Sequence, residues 1–242
     1  MSTLVGDAAR REPKYYAVKR HLLDIIESLP PGSLVPTERE LTVRLGTSRT
    51  TVRQALSELV GEGRLVRRQG SGTFVAEPKL SWPLQVSSFT AQATAHGFVP
   101  STRLLESKKV RADEPVAGLL HLAPGAWIYR LERLRLVNDA PMAVETSHLS
   151  AERFPGLNTR LRGASSLYAV LTEHYGVVPA SAEQTIETAA ASPREAELLD
   201  TDTGAPMLVL ARHSFDANGE PLEWVRSFYR GDRYKFLARL TV

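Results

Sequence analysis

The feature that most constrains the fold of this chain is an internal repeat in its C-terminal part. Residues 112–145 parallel residues 191–224, and Gly125 is equivalent to Gly204, 79 positions later. The other matched pairs are Ala117 with Ala196, Leu119 with Leu198, Leu120 with Leu199 and, one position out of step, Pro141 with Pro221. Each copy has the pattern of a short helix, a glycine turn, a strand, a polar turn and a second strand.

Further segments complete each copy of the repeat. Strand-like runs precede the copies at 102–110 and 181–191, and residues 166–176 have the pattern of a helix between them. Two such units predict an α+β domain built around an antiparallel sheet of about six strands.

The N-terminal part is predicted to be helical. Residues 14–29 place apolar side chains at helical spacing, and a Pro-Pro-Gly sequence follows them. Thr37 and Glu40 have the spacing of a capping box, so a second helix is predicted to begin at Thr37 and to end at Gly46. Ser48 is predicted to cap a third helix, whose apolar stripe is Val52, Ala55, Leu56, Leu59 and Val60.

These helices favour a helix-turn-helix. The loop between the second and third helices is only a few residues long, and two β-rich runs around Gln-Gly-Ser-Gly follow as a hairpin, or wing. We therefore predict a tail at 1–12, a winged helix-turn-helix at 13–76, a proline-containing linker at 77–84 and the repeat-containing domain at 85–242.

Composition and charge limit the possible function. Hydrophobic residues make up 43% and charged residues 24%, as in a soluble globular protein, and there is no cysteine. We expect a cytoplasmic protein, because the sequence has neither a signal peptide nor an apolar run long enough to span a membrane. Residues 44–73 contain six arginines and two acidic residues. This excess favours a polyanionic partner, although charge alone would equally fit a solvated surface.

The third helix has the side chains that DNA recognition requires. Arg49 and Arg53 are suited to guanine and Gln54 to adenine in a major groove. The other candidate contacts are Arg39, Ser48, Thr50 and Thr51 for the phosphate backbone and Gln69, Gly70 and Ser71 at the wing tip for the minor groove. The alternative is an ordinary polar helix surface.

The C-terminal domain contains candidates for binding an anion. Period-two alternation places Arg133 and Arg135 on one face of a strand, where they form a fork for a phosphate or carboxylate. Glu145, Glu223 and Tyr229 on neighbouring strands are suited to sugar hydroxyls. The alternative is internal arginine–glutamate pairing that closes the sheet without any ligand.

The sequence resembles a family of bacterial regulators. The segments PTEREL, SRTTVR and GSGTFV stand in the order and spacing of the winged helix-turn-helix of the GntR family. The C-terminal part resembles a UTRA effector domain, which implies a chorismate lyase-like fold and the HutC subfamily. Within that subfamily, LSAERFPGL, SSLYAVL and EWVRSFYRGDRYKF resemble regulators that respond to phosphorylated amino sugars.

This resemblance implies roles for individual residues. The phosphate end of N-acetylglucosamine 6-phosphate or glucosamine 6-phosphate would be held by Ser88, Phe89, Thr90, Arg133, Arg135, Ser166 and Tyr168. The sugar would be held by Glu145, Glu223 and Tyr229. One departure is that alanine and glutamine residues, rather than an acidic residue, follow Ser88–Thr90.

The sequence does not favour catalysis. The six histidines are scattered, and the sequence has no metal-binding pair of histidines, no Gly-x-Ser-x-Gly nucleophile elbow and no cysteine nucleophile. We therefore expect no catalytic residue, metal or cofactor. We expect a homodimeric, ligand-responsive repressor that reads a palindromic operator in double-stranded DNA. The alternatives are a regulator that responds to another small anionic metabolite and a constitutive architectural DNA-binding protein with a structural second domain.

Overall fold

The structure, a computed structural model, describes residues 13–68 and 70–240. The chain divides into two compact units, Met1–Lys79 and Leu80–Val242. The tail expected at 1–12 and the wing-tip candidate Gln69 lie outside the described residues.

The N-terminal unit is the winged helix-turn-helix that the sequence predicts. Its elements are α1 (Lys14–Glu27), α2 (Glu38–Leu45), α3 (Arg49–Gly61), β1 (Leu65–Arg68) and β2 (Gly72–Val75). Both predicted caps are present, because Thr37 and Glu40 form a reciprocal capping box and the Ser48 hydroxyl accepts from the Thr51 amide. The apolar stripes of the three helices form one core with Leu65 and Val75 of the hairpin.

The C-terminal unit contains the rest of the elements. In chain order they are β3 (Leu80–Pro83), α4 (Phe89–Ala95), β4 (Pro100–Arg111), α5 (Glu114–Leu119), β5 (Trp127–Val137), β6 (Ala140–Ser150), α6 (Leu157–Arg160), α7 (Leu167–Tyr175), β7 (Ser181–Ala190), α8 (Pro193–Leu199), β8 (Pro206–Phe215), β9 (Pro221–Arg230) and β10 (Tyr234–Leu237).

The predicted repeat is confirmed as two copies of one substructure. The six-stranded antiparallel sheet has the order β4-β5-β6-β9-β8-β7, so the equivalent strands β6 and β9 pair with each other at its centre. Equivalent backbone hydrogen bonds close the turn after each short helix, from Gly125 N–H to the Ala112 carbonyl and from Gly204 N–H to the Ala191 carbonyl. Both glycines have positive φ values, 77° and 83°, which explains why glycine recurs there.

Helices cover the two faces of this sheet. On one face, α7 packs with Phe154 and Leu157 against Tyr129 and Leu131. On the other, α8 packs on Leu134 and Val144, while α5 covers Ile128. None of the helices in the described part of the chain is both long and apolar enough to cross a membrane.

The segment expected to be a linker differs from the prediction. Its second half forms β3, which pairs in parallel with β10. Trp82 of β3 is buried because its ring packs edge-on against Phe89 and Tyr234, with centroids 5.1 Å away in each case. Two prolines suggested an open connection, but Trp82 contributes a large apolar surface that outweighs them.

Candidate effector cavity and nucleic-acid interface

The C-terminal unit contains a cavity on the α7 side of the sheet. About 580 Å³ of space lies within it, counting the solvent at its mouth. Its floor consists of side chains from β5, β6, β9 and β8, and its walls are the start of α4, the start of α7 and β10. The lining residues include Ser88, Phe89, Arg133, Arg135, Glu145, Tyr168, Glu223 and Tyr229.

These eight residues were expected from the sequence, but the other two candidates lie outside the cavity. Thr90 and Ser166 line a neighbouring surface groove instead. The Thr90 hydroxyl donates to the Ser165 carbonyl (3.0 Å), and the Ser166 hydroxyl accepts from the Ala169 amide as the cap of α7. The Thr90 O–H is thus used by a carbonyl 75 positions away along the chain, whereas the Ser166 hydroxyl accepts in its bond and keeps its own O–H as a donor.

The floor of the cavity is a buried cluster of two arginines and two glutamates. Arg135 Nε donates to Glu145 Oε2 at 2.6 Å. Arg133 Nη2 lies 3.4 Å from Glu145 Oε2 and 3.4 Å from Glu223 Oε1, and it donates to the Ser147 hydroxyl at 2.6 Å. All four charged side chains are less than a tenth exposed. Strand register produces this cluster, because Arg133 and Glu145 are direct cross-strand partners.

Burial and charge together set the ionisation of this cluster. Burial opposes the charged form of Glu145, but Arg135 and Arg133 outweigh it and hold the pKa of this carboxyl below its ordinary value. Burial raises the pKa of the Tyr229 phenol, and the neighbouring Glu145 raises it further. Tyr229 therefore remains a neutral donor, and its hydroxyl donates to Glu145 Oε1 at 3.3 Å.

The cavity also has residues that the sequence did not single out. Arg212 on β8 donates from Nε to Gln184 Oε1 on β7 (2.7 Å) and from Nη1 to the Ser87 carbonyl (3.3 Å). Tyr234 and Phe236 of β10 supply an aromatic wall. Period-two alternation places Arg212 on the same strand face as Leu210, but the alternation alone does not show which face of β8 lines the cavity.

The N-terminal unit presents most of the candidate DNA contacts on its surface. The side chains of Arg39, Arg49, Thr50, Arg53 and Gln54 are exposed, as are Gly70 and Ser71 at the wing tip. Ser48 and Thr51 lie at the start of α3, where their hydroxyl oxygens are 2.8 Å apart.

One contact of α3, an ion pair between Arg53 and Glu38, is not evident from the sequence. Arg53 donates from Nε and Nη2 to the two carboxylate oxygens of Glu38 on α2, at 3.3 and 3.0 Å. This two-point contact links the two helices of the helix-turn-helix and limits the directions in which Arg53 can point. The pKa of Glu38 is lowered chiefly by this hydrogen bond.

Comparison with known protein families divides the chain in the same way. Residues 14–75 match the model described as bacterial regulatory proteins, gntR family, and residues 95–235 match the UTRA domain. Both matches agree with the resemblance seen in the sequence.

Individual relatives are similar over nearly the whole chain. The HTH-type transcriptional repressor NagR of Bacillus subtilis is 40% identical over 93% of this chain and 93% of its own length. The repressor PhnF of Mycolicibacterium smegmatis is 37% identical over 97% of this chain and 96% of its own. A crystal structure of PhnF aligns with a TM-score of 0.65, covering 93% of this chain and 99% of that one.

Proposed function

Because this chain belongs to the GntR family of bacterial regulatory proteins and is a transcriptional repressor of the GntR/HutC type, we propose that its cavity binds a phosphorylated amino sugar that controls operator binding. The proposed ligand is N-acetylglucosamine 6-phosphate or glucosamine 6-phosphate. The quoted C-terminal segments resemble those of the amino-sugar regulator DasR and, more distantly, NagR.

The observation that carries this proposal is the charge of the cavity lining. Three arginines (Arg133, Arg135 and Arg212) face two glutamates (Glu145 and Glu223), which leaves an excess of one positive charge. An arginine that is shielded from water is favourable only with an anion nearby, so a phosphate group would balance the lining.

The same cluster supplies partners for a sugar. Glu145 and Glu223 each have oxygen lone pairs left over for hydroxyl groups, and Tyr229 is a neutral donor at the edge of the cluster. The ion pairs hold Arg133 and Arg135 in fixed positions before a ligand arrives. Such preorganisation lowers the entropy cost of binding.

The N-terminal unit would read the operator with α3. We propose that Arg49, Arg53 and Gln54 contact base edges, that Arg39, Ser48, Thr50 and Thr51 contact phosphates, and that the wing tip (Gln69, Gly70 and Ser71) approaches the minor groove. A homodimer would place two such helices on the half-sites of a palindrome.

A physical connection between ligand and DNA is available through β3. This strand begins at Leu80, directly after the last residue of the DNA-binding unit. Its Trp82 packs on Phe89 and Tyr234, and both of these line the cavity. A ligand that moves this aromatic wall would therefore alter the anchoring of the chain that leads to the DNA-binding unit. The ligand controls operator binding only if it has different affinities for the two resulting states.

Ligand binding can be tested without knowledge of the operator. Thermal unfolding of the full chain is followed with N-acetylglucosamine 6-phosphate, glucosamine 6-phosphate, the unphosphorylated sugars and inorganic phosphate. A ligand present at about 100 times its Kd stabilises the native state by about 2.7 kcal/mol. We expect a rise in Tm with the phosphosugars alone and its loss in Arg135→Met.

Arg130→Met is the matched control, because this arginine lies on the same strand, pairs with Glu106 and does not line the cavity. It should retain the full shift. Equal shifts with phosphorylated and unphosphorylated sugars, or none with either, would contradict the proposal.

A further inference from the structure

Two polar side chains that line the cavity have no hydrogen-bond partner within the described part of the chain. Gln92 on α4 and Tyr234 on β10 are only 6% and 2% exposed. Within residues 13–68 and 70–240, Gln92 forms hydrogen bonds through its backbone alone, and the Tyr234 hydroxyl forms none. Buried polar groups are nearly always hydrogen bonded, so an unpaired amide and an unpaired hydroxyl beside a cavity indicate groups that serve a ligand.

The surroundings of these two groups are apolar. Phe89 lies three positions before Gln92, on the same face of α4. Phe89, Leu210, Tyr234 and Phe236 all line the cavity and pack in one apolar cluster. This end of the cavity therefore combines neutral hydrogen-bonding groups with an apolar wall, unlike the charged floor.

A neutral ligand group with both a donor and an acceptor fits this end of the cavity. The Gln92 side chain offers an N–H donor and a carbonyl acceptor, and an acetamido group offers the same two in a plane. Burial raises the pKa of the Tyr234 phenol, which therefore remains a neutral donor. The methyl group of an acetamido substituent would pack on the apolar wall.

An ammonium group in the same place would be unfavourable. It carries a charge and only donors, so it could use the Gln92 carbonyl but not its N–H groups. The two glutamates of the lining, Glu145 and Glu223, already lie within ion-pair distance of arginines. A further positive charge would thus be shielded from water in a lining that already has an excess positive charge.

We propose that Gln92 and Tyr234 form a subsite for an acetamido group, so that the cavity selects N-acetylglucosamine 6-phosphate over glucosamine 6-phosphate. Gln92 accepts from the amide N–H of the ligand, and Gln92 or Tyr234 donates to its acetyl carbonyl. This proposal rests on the proposed function, because it takes the ligand to be a phosphorylated amino sugar. Two neutral hydrogen bonds and one buried methyl group should together tighten binding by about tenfold or more.

The test compares ligands that differ by the acetyl group. Isothermal titration calorimetry of the full chain measures Kd for N-acetylglucosamine 6-phosphate, glucosamine 6-phosphate and unphosphorylated N-acetylglucosamine. We expect the acetylated phosphosugar to bind about tenfold or more tightly than the free amine. In Gln92→Leu this ratio should fall to about one, and in Tyr234→Phe it should fall less, because one neutral partner remains.

A charged variant and a control make the result specific. Gln92→Glu keeps the shape of the side chain but replaces its N–H donors with a carboxylate, which attracts an ammonium group. The ratio should therefore invert, and tighter binding of glucosamine 6-phosphate cannot come from a failure to fold. Thr94→Val is the matched control, because Thr94 is exposed on the same helix and does not line the cavity. It should keep the wild-type ratio.

The outcomes separate this proposal from the proposed function. If both phosphosugars bind and the acetylated one is not preferred, the acetamido subsite is wrong and the proposed function stands. If unphosphorylated N-acetylglucosamine binds as tightly as its 6-phosphate and loses affinity in Gln92→Leu, the subsite stands and the phosphorylated ligand is wrong. If none of the three sugars binds, both fail. An acetyl preference that is unchanged in Gln92→Leu would also overturn the subsite, because the preference would then arise elsewhere.

Discussion

Replacement of Arg135 by methionine should destabilise the C-terminal unit strongly. The guanidinium lies 2.6 Å from Glu145 Oε2, with side-chain exposures of 5% and 9%. Methionine keeps an unbranched apolar chain but removes this ion pair and the hydrogen bond to Thr102. Among the described residues, Arg133 would then be the one arginine left within ion-pair distance of Glu145 and Glu223. Breaking a buried pair by removing one partner costs about 3–5 kcal/mol, because the remaining charge is left uncompensated.

The double variant Arg135→Met, Glu145→Gln separates the charge effect from loss of packing. It leaves Arg133 paired with Glu223 and removes the carboxylate charge that had lost its nearest arginine. We therefore expect it to be more stable than Arg135→Met alone, with a coupling energy of about 0.5–3 kcal/mol between the two sites. Acid should also reduce the defect of the single variant, because protonation removes the uncompensated charge of Glu145.

The assay can report on this unit alone. All three tryptophans, Trp82, Trp127 and Trp224, lie in the C-terminal unit, so their fluorescence during urea unfolding follows that unit without a signal from the DNA-binding unit. If Arg135→Met unfolded within about 1 kcal/mol of the wild type, as for a surface pair, the cluster would not be the desolvated ion network described above.

Three further predictions concern the recognition helix and pH. Arg53→Ala should weaken binding by about 1–3 kcal/mol on a DNA site selected from a random pool, and much less on random DNA; equal losses on both would make Arg53 a phosphate contact. Glu38→Gln removes the carboxylate partner of Arg53 and one negative charge. We therefore expect tighter binding to random DNA and a smaller ratio of the affinity for the selected site to the affinity for random DNA. An unchanged ratio would show that Glu38 does not position Arg53. The pKa of Glu145 in the folded protein is lowered. The contribution of its carboxylate to stability is therefore present above the ordinary glutamate pKa and is lost as the pH falls through the folded-state pKa. The Tm followed by tryptophan fluorescence should fall less steeply with acid in Glu145→Gln than in the wild type.

Much of the fold could be predicted because its signals are local. The cap residues Thr37 and Ser48 lie within three positions of the amides they bind, so short motifs suffice to place α2 and α3. The repeat predicted the sheet because Gly125 and Gly204 mark the same turn in both copies.

What could not be predicted depends on distant pairings. β3 and β10 pair although about 150 residues separate them, and no local pattern in Leu80–Pro83 indicates that partner. The hairpin of β8 and β9 is local, but the alternation within β8 does not show which of its faces lines the cavity, and so it does not identify Arg212. Thr90 and Ser166 have residue types suited to phosphate, but the packing of α4 and α7 places them in a neighbouring groove, which residue type alone does not show.

The most direct test of the central claim is operator affinity with and without ligand. A DNA site selected by the full chain from a random pool is titrated by fluorescence anisotropy, in the absence and presence of saturating N-acetylglucosamine 6-phosphate or glucosamine 6-phosphate, at one fixed salt concentration. We expect one of these ligands to change the Kd for the selected site by about 5- to 150-fold, a coupling of about 1–3 kcal/mol, and to have no such effect in Arg135→Met. Equal operator affinity with and without both ligands would contradict the account.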